Sequence, residues 1–439
     1  MLSVNPHSDS RYLSLLRSPD EAVSHIKSGE TIVYGMNICQ PPALLGAIAD
    51  HVSAHKLKDV NIYTFLPREH AQSTVLSPNL CDQITHHSWF TGEADRMMTR
   101  YGLSYHVPSY LHQIPRLCRD FMEIDTVVTT VSPMDKSGFF SFGTGNDYIS
   151  TATRYGKKVI LEVNQNMPRV FGDSQIHISD IDGIVECNMP LLELVSPGEK
   201  PEDAIIGPMI AGMIPDEATI QLGIGGLPNA VTRSLINHSN LGIHTELFTE
   251  GMVNLIDKGV ITGKKKNLHQ HKHIFTTAAG TKHMYDFMND NPSIESYPAS
   301  YVCSPAVIAK NDTMISINSI LEVDLLGQAN AEYLSGSLFS GTGGQLDFVR
   351  GAFDSQGGRS ILAFYSTAKG GTISKIVPRL KEGSAITTPR QDIHYLVTEY
   401  GITNMKGKDT RQRALAIIDL AHPSFRDALL READMMGII

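Results

Sequence analysis

The sequence is 439 residues long, with 41% hydrophobic residues, 36 Gly and 22 Pro, an ordinary globular composition that excludes collagen-like, low-complexity and wholly disordered chains. At about 100 to 200 residues per domain, it has room for two or three domains, each able to build its own core. Its 46 Asp and Glu against 37 Lys and Arg leave a formal net charge of -9, which excludes the basic footprint of a duplex nucleic-acid binder.

Residues 1–17 carry no basic segment leading into an apolar core, and the apolar run 204–214 is broken by Pro208 and too short to span a bilayer. A soluble, cytoplasmic protein without a membrane partner is expected. The five cysteines, Cys39, Cys81, Cys118, Cys187 and Cys303, show no CxxC spacing. That predicts a reducing compartment, no disulfide framework and no cysteine zinc site.

Along the chain, residues 31–51 (TIVYGMNICQPPALLGAIADH) resemble residues 219–238 (TIQLGIGGLPNAVTRSLINH) once one residue is gapped. Thr31, Gly35, Pro41, Ala43 and His51 match Thr219, Gly223, Pro228, Ala230 and His238. Three further blocks follow in the same order. Residues 61–66 (NIYTFL) align with 242–247 (GIHTEL), 140–148 with 339–348, and 158–161 (KVIL) with 359–362 (RSIL). Collinear blocks predict two duplicated domains, 1–195 and 196–439, joined near Ser196 and Pro197. Within the second copy, 219–223 is predicted as a strand, 223–228 as a turn and 229–236 as a helix. Strands alternating with helices predict an α/β architecture of mainly parallel sheets, whose ligands sit at the carboxyl ends of strands.

What the repeats share the fold requires; what occurs once is a candidate for chemistry. Glu246 stands out, because its counterpart is Phe65 and the scaffold therefore accepts an apolar side chain there. It is predicted to follow directly on a strand at 241–245, although helix capping or solvent exposure is the commoner role of a glutamate. The turn Gly223, Ile224, Gly225, Gly226, Leu227 carries three glycines where the first copy has Gly35 followed by Met36, Asn37, Ile38 and Cys39. Glycines let backbone N–H groups approach a ligand, so the turn is a candidate oxyanion or phosphate cradle. Pro228 takes the place of the third glycine of a dinucleotide fingerprint, and no Gly-Lys-Ser/Thr ending marks a P-loop. Gly341 to Gln345 and Lys369 to Gly371 are two further glycine clusters, each of which a tight turn alone explains. The lysine run Lys264, Lys265, Lys266 is predicted to be a solvated loop. His269, His271 and His273 would share a face on a strand, but no nearby carboxylate or fourth ligand completes a metal site, and no metal is assigned.

The ordered motifs PMDKSGFFSFG (133–143), EVNQNMPRVFGDS (162–174), GIGGLPNAV (223–231), HTELFTEGMVNLIDKGVITGKKK (244–266), LGQANAE (326–332), SGTGGQLDF (340–348), STAKGGTISKIVP (366–378), VTEYGITNMKGK (397–408) and AHPSFR (421–426) cover almost the whole chain. They resemble the acetyl-CoA hydrolase/transferase family, the branch of class I coenzyme A transferases that includes 4-hydroxybutyrate and butyrate CoA-transferases. The resemblance implies two CoA-transferase-like domains with the active site at their interface, and a homodimer or higher homo-oligomer. It implies that Glu246 is the catalytic glutamate, that Gly223, Ile224, Gly225, Gly226, Leu227, Gly344 and Lys369 lie on the coenzyme A side, and that Asn330, Gln345 and Glu399 line the substrate pocket. Coenzyme A enters as acyl-CoA substrate rather than as a permanently bound cofactor. The implied reaction moves coenzyme A between acetyl-CoA and a carboxylate such as 4-hydroxybutyrate or butyrate, by a ping-pong route through a glutamyl-CoA thioester. An acyl-CoA hydrolase would use the same residues with water as acceptor, and a non-catalytic coenzyme A sensor could keep the glycine turns but would not need Glu246.

Overall fold

The computed structural model describes residues 9–194, 198, 200–223 and 225–439, so Ile224 and the junction expected at Ser196 and Pro197 lie outside the described residues. The chain divides into two compact units. One comprises Met1–Leu194, Phe248–Glu250 and Ile274–Val302, the other Val195–Leu247, Gly251–His273 and Cys303–Ile439.

In the first unit, β1 (Thr31–Tyr34), β2 (Val60–Phe65), β3 (Ile84–Phe90), β4 (Ser104–His106), β5 (Thr126–Val131), β6 (Lys158–Val163) and β7 (Gly183–Glu186) make one sheet ordered β7-β6-β5-β1-β2-β3-β4. Every neighbouring pair is parallel. The central strand β5, TVVTTV, is buried at every position, as a sheet covered on both faces requires of a β-branched run. Helix α1 (Pro42–Ser53) starts with Pro42, whose fixed φ suits a first turn, and buries Leu44, Leu45, Ile48 and Val52 in the core. Its N-cap side chain makes no capping bond; instead Leu44 N–H donates to Glu162 Oε2 on β6 at 3.0 Å. Phe65, at the end of β2, is buried and stacks on Phe90 with ring centroids 4.9 Å apart.

The second unit repeats the pattern. Strands β8 (Thr219–Leu222), β9 (Gly242–Phe248), β10 (Met314–Ser319), β11 (Arg359–Ala363), β12 (Tyr395–Thr398) and β13 (Gly401–Asn404) are ordered β13-β12-β11-β10-β8-β9. All pairs are parallel apart from the β12–β13 hairpin. The order β12-β11-β10-β8-β9 matches β7-β6-β5-β1-β2 of the first unit strand for strand. Even the register is copied. Thr31 and Ile32 face Asn61 and Ile62, while Thr219 and Ile220 face Gly242 and Ile243, the same residues that the sequence repeats align.

Three helices of this unit matter for the site: α2 (Asp203–Ala211), α3 (Gly226–Ser234) and α4 (Gln345–Asp354). Pro208 does not end the apolar run but sits inside α2. No helix among the described residues is long and apolar enough to cross a membrane.

Candidate active site

In an open parallel sheet, ligands bind at the carboxyl ends of the strands, where the strand order reverses direction. In the second unit that place is β8, which has β10 on one side and β9 on the other. Gln221 and Asn318 tie β8 to β10 there by reciprocal amide hydrogen bonds, both 3.1 Å. Gly223 N–H extends the ladder by donating to Ile317 O at 2.9 Å. Helix α3 begins at Gly226 rather than at Asn229.

Glu246 lies within β9, not after it. Continuing the register from Ile220 opposite Ile243 sets it beside Gly223. Its carboxylate neither caps a helix nor points freely to solvent: Oε2 accepts a hydrogen bond from Gly344 N–H at 2.9 Å. Gly344 is the N-cap residue of α4, so the bond uses a backbone donor at a helix start. Burial is the main force on this carboxyl; the nearby carboxylate of Asp347 adds to it, and together they push its pKa up to about 7 against the opposing Gly344 bond. The carboxylate is embedded, while the residue as a whole keeps some solvent contact.

Glycine requirements can be tested position by position. A Cβ on Gly344 would run into Glu246 Oε2, although the backbone there has ordinary negative φ. Gly225 has φ +116° and needs glycine for conformation alone. Gly223 and Gly226 need it for neither reason, since a Cβ would stand 3.6 Å or more from every neighbour. Neither a positive φ nor a close neighbour therefore accounts for these two glycines.

The other expected residues are distributed unevenly. Leu227 is buried in the first turn of α3. Gln345 opens α4 beside Gly344 and donates to Thr388 Oγ1 at 3.1 Å. Asn330 is buried, and its amide bonds are local: Nδ2 donates to Glu322 Oε1 and Tyr333 O, and Oδ1 accepts from the N–H groups of Glu332 and Tyr333. Its observed contacts shape its own loop. Glu399 accepts from Ser366 N–H at 3.0 Å and Ser366 Oγ at 2.5 Å, and so belongs to the group around Tyr365. Lys369 is exposed with φ +49°.

Two expectations change. His269 and His271 do not share a strand face with His273, because both occupy left-handed turn positions and only His273 enters a strand, where it is buried. The lysine run is not all solvated: Lys266 is buried, donating from Nζ to Ile243 O at 2.8 Å and Lys272 O at 2.9 Å. Asp347, a buried second carboxylate acting on Glu246, was not singled out as a site residue in the sequence. Its signal was present in SGTGGQLDF, three positions after Gly344.

The family model for the acetyl-CoA hydrolase/transferase N-terminal domain matches residues 3–195, and that for the C-terminal domain matches residues 280–433. The chain is 42% identical to the 4-hydroxybutyrate coenzyme A transferase of Clostridium kluyveri over 96% of this chain and 97% of that one. It is 40% identical to the succinyl-CoA:cyclohexane-1-carboxylate CoA transferase of Geobacter metallireducens over 98% of both. Among solved structures it is similar to RipA from Yersinia pestis, with TM-score 0.94 and 44% identity, covering 99% of this chain and 100% of that one. Since both domain models and relatives spanning almost its full length agree, the chain belongs to the acetyl-CoA hydrolase/transferase family.

Proposed function

We propose that the protein is a coenzyme A transferase that moves coenzyme A between a short-chain acyl-CoA, acetyl-CoA, and a carboxylate such as 4-hydroxybutyrate or butyrate, with Glu246 as nucleophile. The observation that carries this reading is the embedded Glu246 carboxylate, raised to about 7 and held by Gly344 N–H at 2.9 Å. Raised basicity makes a carboxylate a better nucleophile at neutral pH.

A Glu246 oxygen attacks the thioester carbonyl and coenzyme A leaves as thiolate, giving an acyl-glutamyl anhydride. The thiolate then attacks the glutamyl carbonyl, which releases the acyl group as free carboxylate and leaves a glutamyl-CoA thioester. An incoming carboxylate reverses both steps and departs as the new acyl-CoA. Each addition builds an oxyanion. Gly344 N–H already bonds a Glu246 oxygen, so it is placed to stabilise the oxyanion formed when the glutamyl carbonyl itself is attacked. The N–H groups of Gly226 and Leu227, ahead of Pro228 in the first turn of α3, follow the carboxyl end of β8 and suit the acyl oxyanion. Gly223, Gly225 and Gly226 give the coenzyme a bare approach beside Leu227, with Gln345 and Asn330 on the acceptor side and Glu399 in the group around Tyr365.

The test is a panel of carboxylates offered to the protein with acetyl-CoA as donor, with new acyl-CoA species identified by mass. Formation of butyryl-CoA or 4-hydroxybutyryl-CoA together with acetate is expected. Acetate release at the same rate with and without any carboxylate would make the protein a hydrolase instead.

A further inference from the structure

Lys200, Tyr365 and Lys375 come from three separate segments of the second unit and gather at one place. Lys200 Nζ lies 4.3 Å from the centroid of the Tyr365 ring, and Lys375 Nζ lies 5.5 Å from it. The ring is fixed by its hydroxyl, which donates to Asp203 Oδ1 at 2.8 Å, while Asp203 Oδ2 accepts Lys200 N–H at 2.9 Å. Asp203 is itself buried at the start of α2. Burial, and after it the charge of Lys200, hold the Lys375 ammonium below its ordinary pKa, with Glu399 pulling the other way. Glu399, however, is already bonded through both oxygens to Ser366. Among the described residues neither ammonium forms an ion pair with a carboxylate. Two cations brought to one ring repel each other, the carboxylates of Asp203 and Glu399 nearby notwithstanding, and a neutral residue at either position would remove that repulsion. A bound polyanion removes it too.

The surroundings point to which polyanion. A Cβ on Gly226 would stand 3.6 Å from both Asp203 Oδ2 and Tyr365 Oη, so the lysine group abuts the glycine turn. Tyr365 follows β11 and Glu246 lies on β9, with β10 and β8 between them. Three strand spacings amount to roughly 14 Å. The pantetheine arm of an acyl-CoA joins its thioester to its first phosphate through about a dozen single and amide bonds, roughly 15 Å when extended. An acyl-CoA whose thioester lies at Glu246 therefore has an arm long enough to bring its phosphates to Tyr365. Lysine serves phosphate as a point charge on a flexible stem, which suits a diphosphate with several orientations.

We propose that Lys200 and Lys375, held around Tyr365, seat the phosphate groups of the acyl-CoA substrate, an inference that rests on the transferase reading of Glu246. Through this seat the remote end of the substrate contributes binding that positions the thioester at the nucleophile.

The experiment compares acetyl-CoA with acetyl-pantetheine, which has the same thioester and arm but no phosphate, as donors to butyrate. Wild type, Lys200→Gln and Lys200→Gln/Lys375→Gln proteins are assayed. For acetyl-CoA, kcat/KM is expected to fall about tenfold per lysine, carried by KM, as the loss of a charge-assisted contact predicts. For acetyl-pantetheine it is expected to stay at the wild-type value in the same preparations. Lys200 is exposed, so the single variant carries the test even if the half-buried Lys375 position rejects glutamine. Unchanged kcat/KM for acetyl-CoA in Lys200→Gln protein, or an equal fall with both donors, overturns the seat and leaves the transferase reading standing. Wild-type protein that transfers from neither donor overturns both.

Discussion

Replacing Glu246 with glutamine should make the protein more stable in alkaline solution while abolishing its chemistry. The carboxyl has its pKa raised from 4.5 to about 7 in the folded state, first by burial and then by Asp347. A raised pKa means that the fold prefers the protonated acid, so this group's contribution is fully favourable below 4.5 and is lost as pH rises through about 7. The shift corresponds to about 3 kcal/mol above neutrality, at about 1.36 kcal/mol per unit, and to less than about 1 kcal/mol near pH 5. Glu246 retains some solvent contact, which screens its charge, so about 1 to 3 kcal/mol is the expected gain near pH 8. Glutamine keeps an oxygen to accept Gly344 N–H and carries no charge for Asp347 to oppose. The assay is urea unfolding of both proteins near pH 5 and near pH 8, following the transition that Glu246→Gln moves, because two compact units need not unfold together. A gain at pH 8 that shrinks toward pH 5 is expected. Equal stabilities at both values, or a glutamine variant less stable at pH 8, would refute the claim that this carboxylate is held ionised at a cost.

Three further predictions concern Asp347, Gly344 and Gly226. Turnover with acetyl-CoA should rise with pH along an acid limb near 7, and Asp347→Asn should move that limb to lower pH, because it removes the second cause of the raised Glu246 pKa; initial rates across pH check this. Gly344→Ala places a Cβ on Glu246 Oε2 and should cut kcat by about 10² to 10³, the usual loss for one oxyanion donor, whereas Gly226→Ala has room in the unliganded fold and should keep its unfolding midpoint while raising KM for acyl-CoA, as melting curves and saturation kinetics would show.

Much of this architecture was legible because duplication writes each rule twice. Aligning Thr31 with Thr219 and Asn61 with Gly242 anticipates a strand register that the two sheets do share, and the Phe65 to Glu246 exchange marks a position where a buried aromatic is replaced by an embedded acid. Boundaries were less legible. Strand β9 runs through Glu246 to Phe248 because the apolar Leu247 and Phe248 continue it, and α3 starts at Gly226 although glycine and proline usually discourage a helix. The burial of Lys266 depends on carbonyls from two other segments, and a run of three lysines carries no trace of them. The Lys200, Tyr365 and Lys375 group was out of reach for the same reason: its members are scattered along the chain, and only the sheet order brings them to one ring.

The central claim, that Glu246 takes the coenzyme covalently, is tested most directly by mixing the protein with acetyl-CoA and no acceptor, then measuring peptide masses after a single turnover. A coenzyme A adduct on the peptide containing Glu246 is predicted, and borohydride should reduce that thioester to an alcohol and inactivate the enzyme. An adduct on a different residue, or turnover to a new acyl-CoA by Glu246→Gln protein, would contradict it.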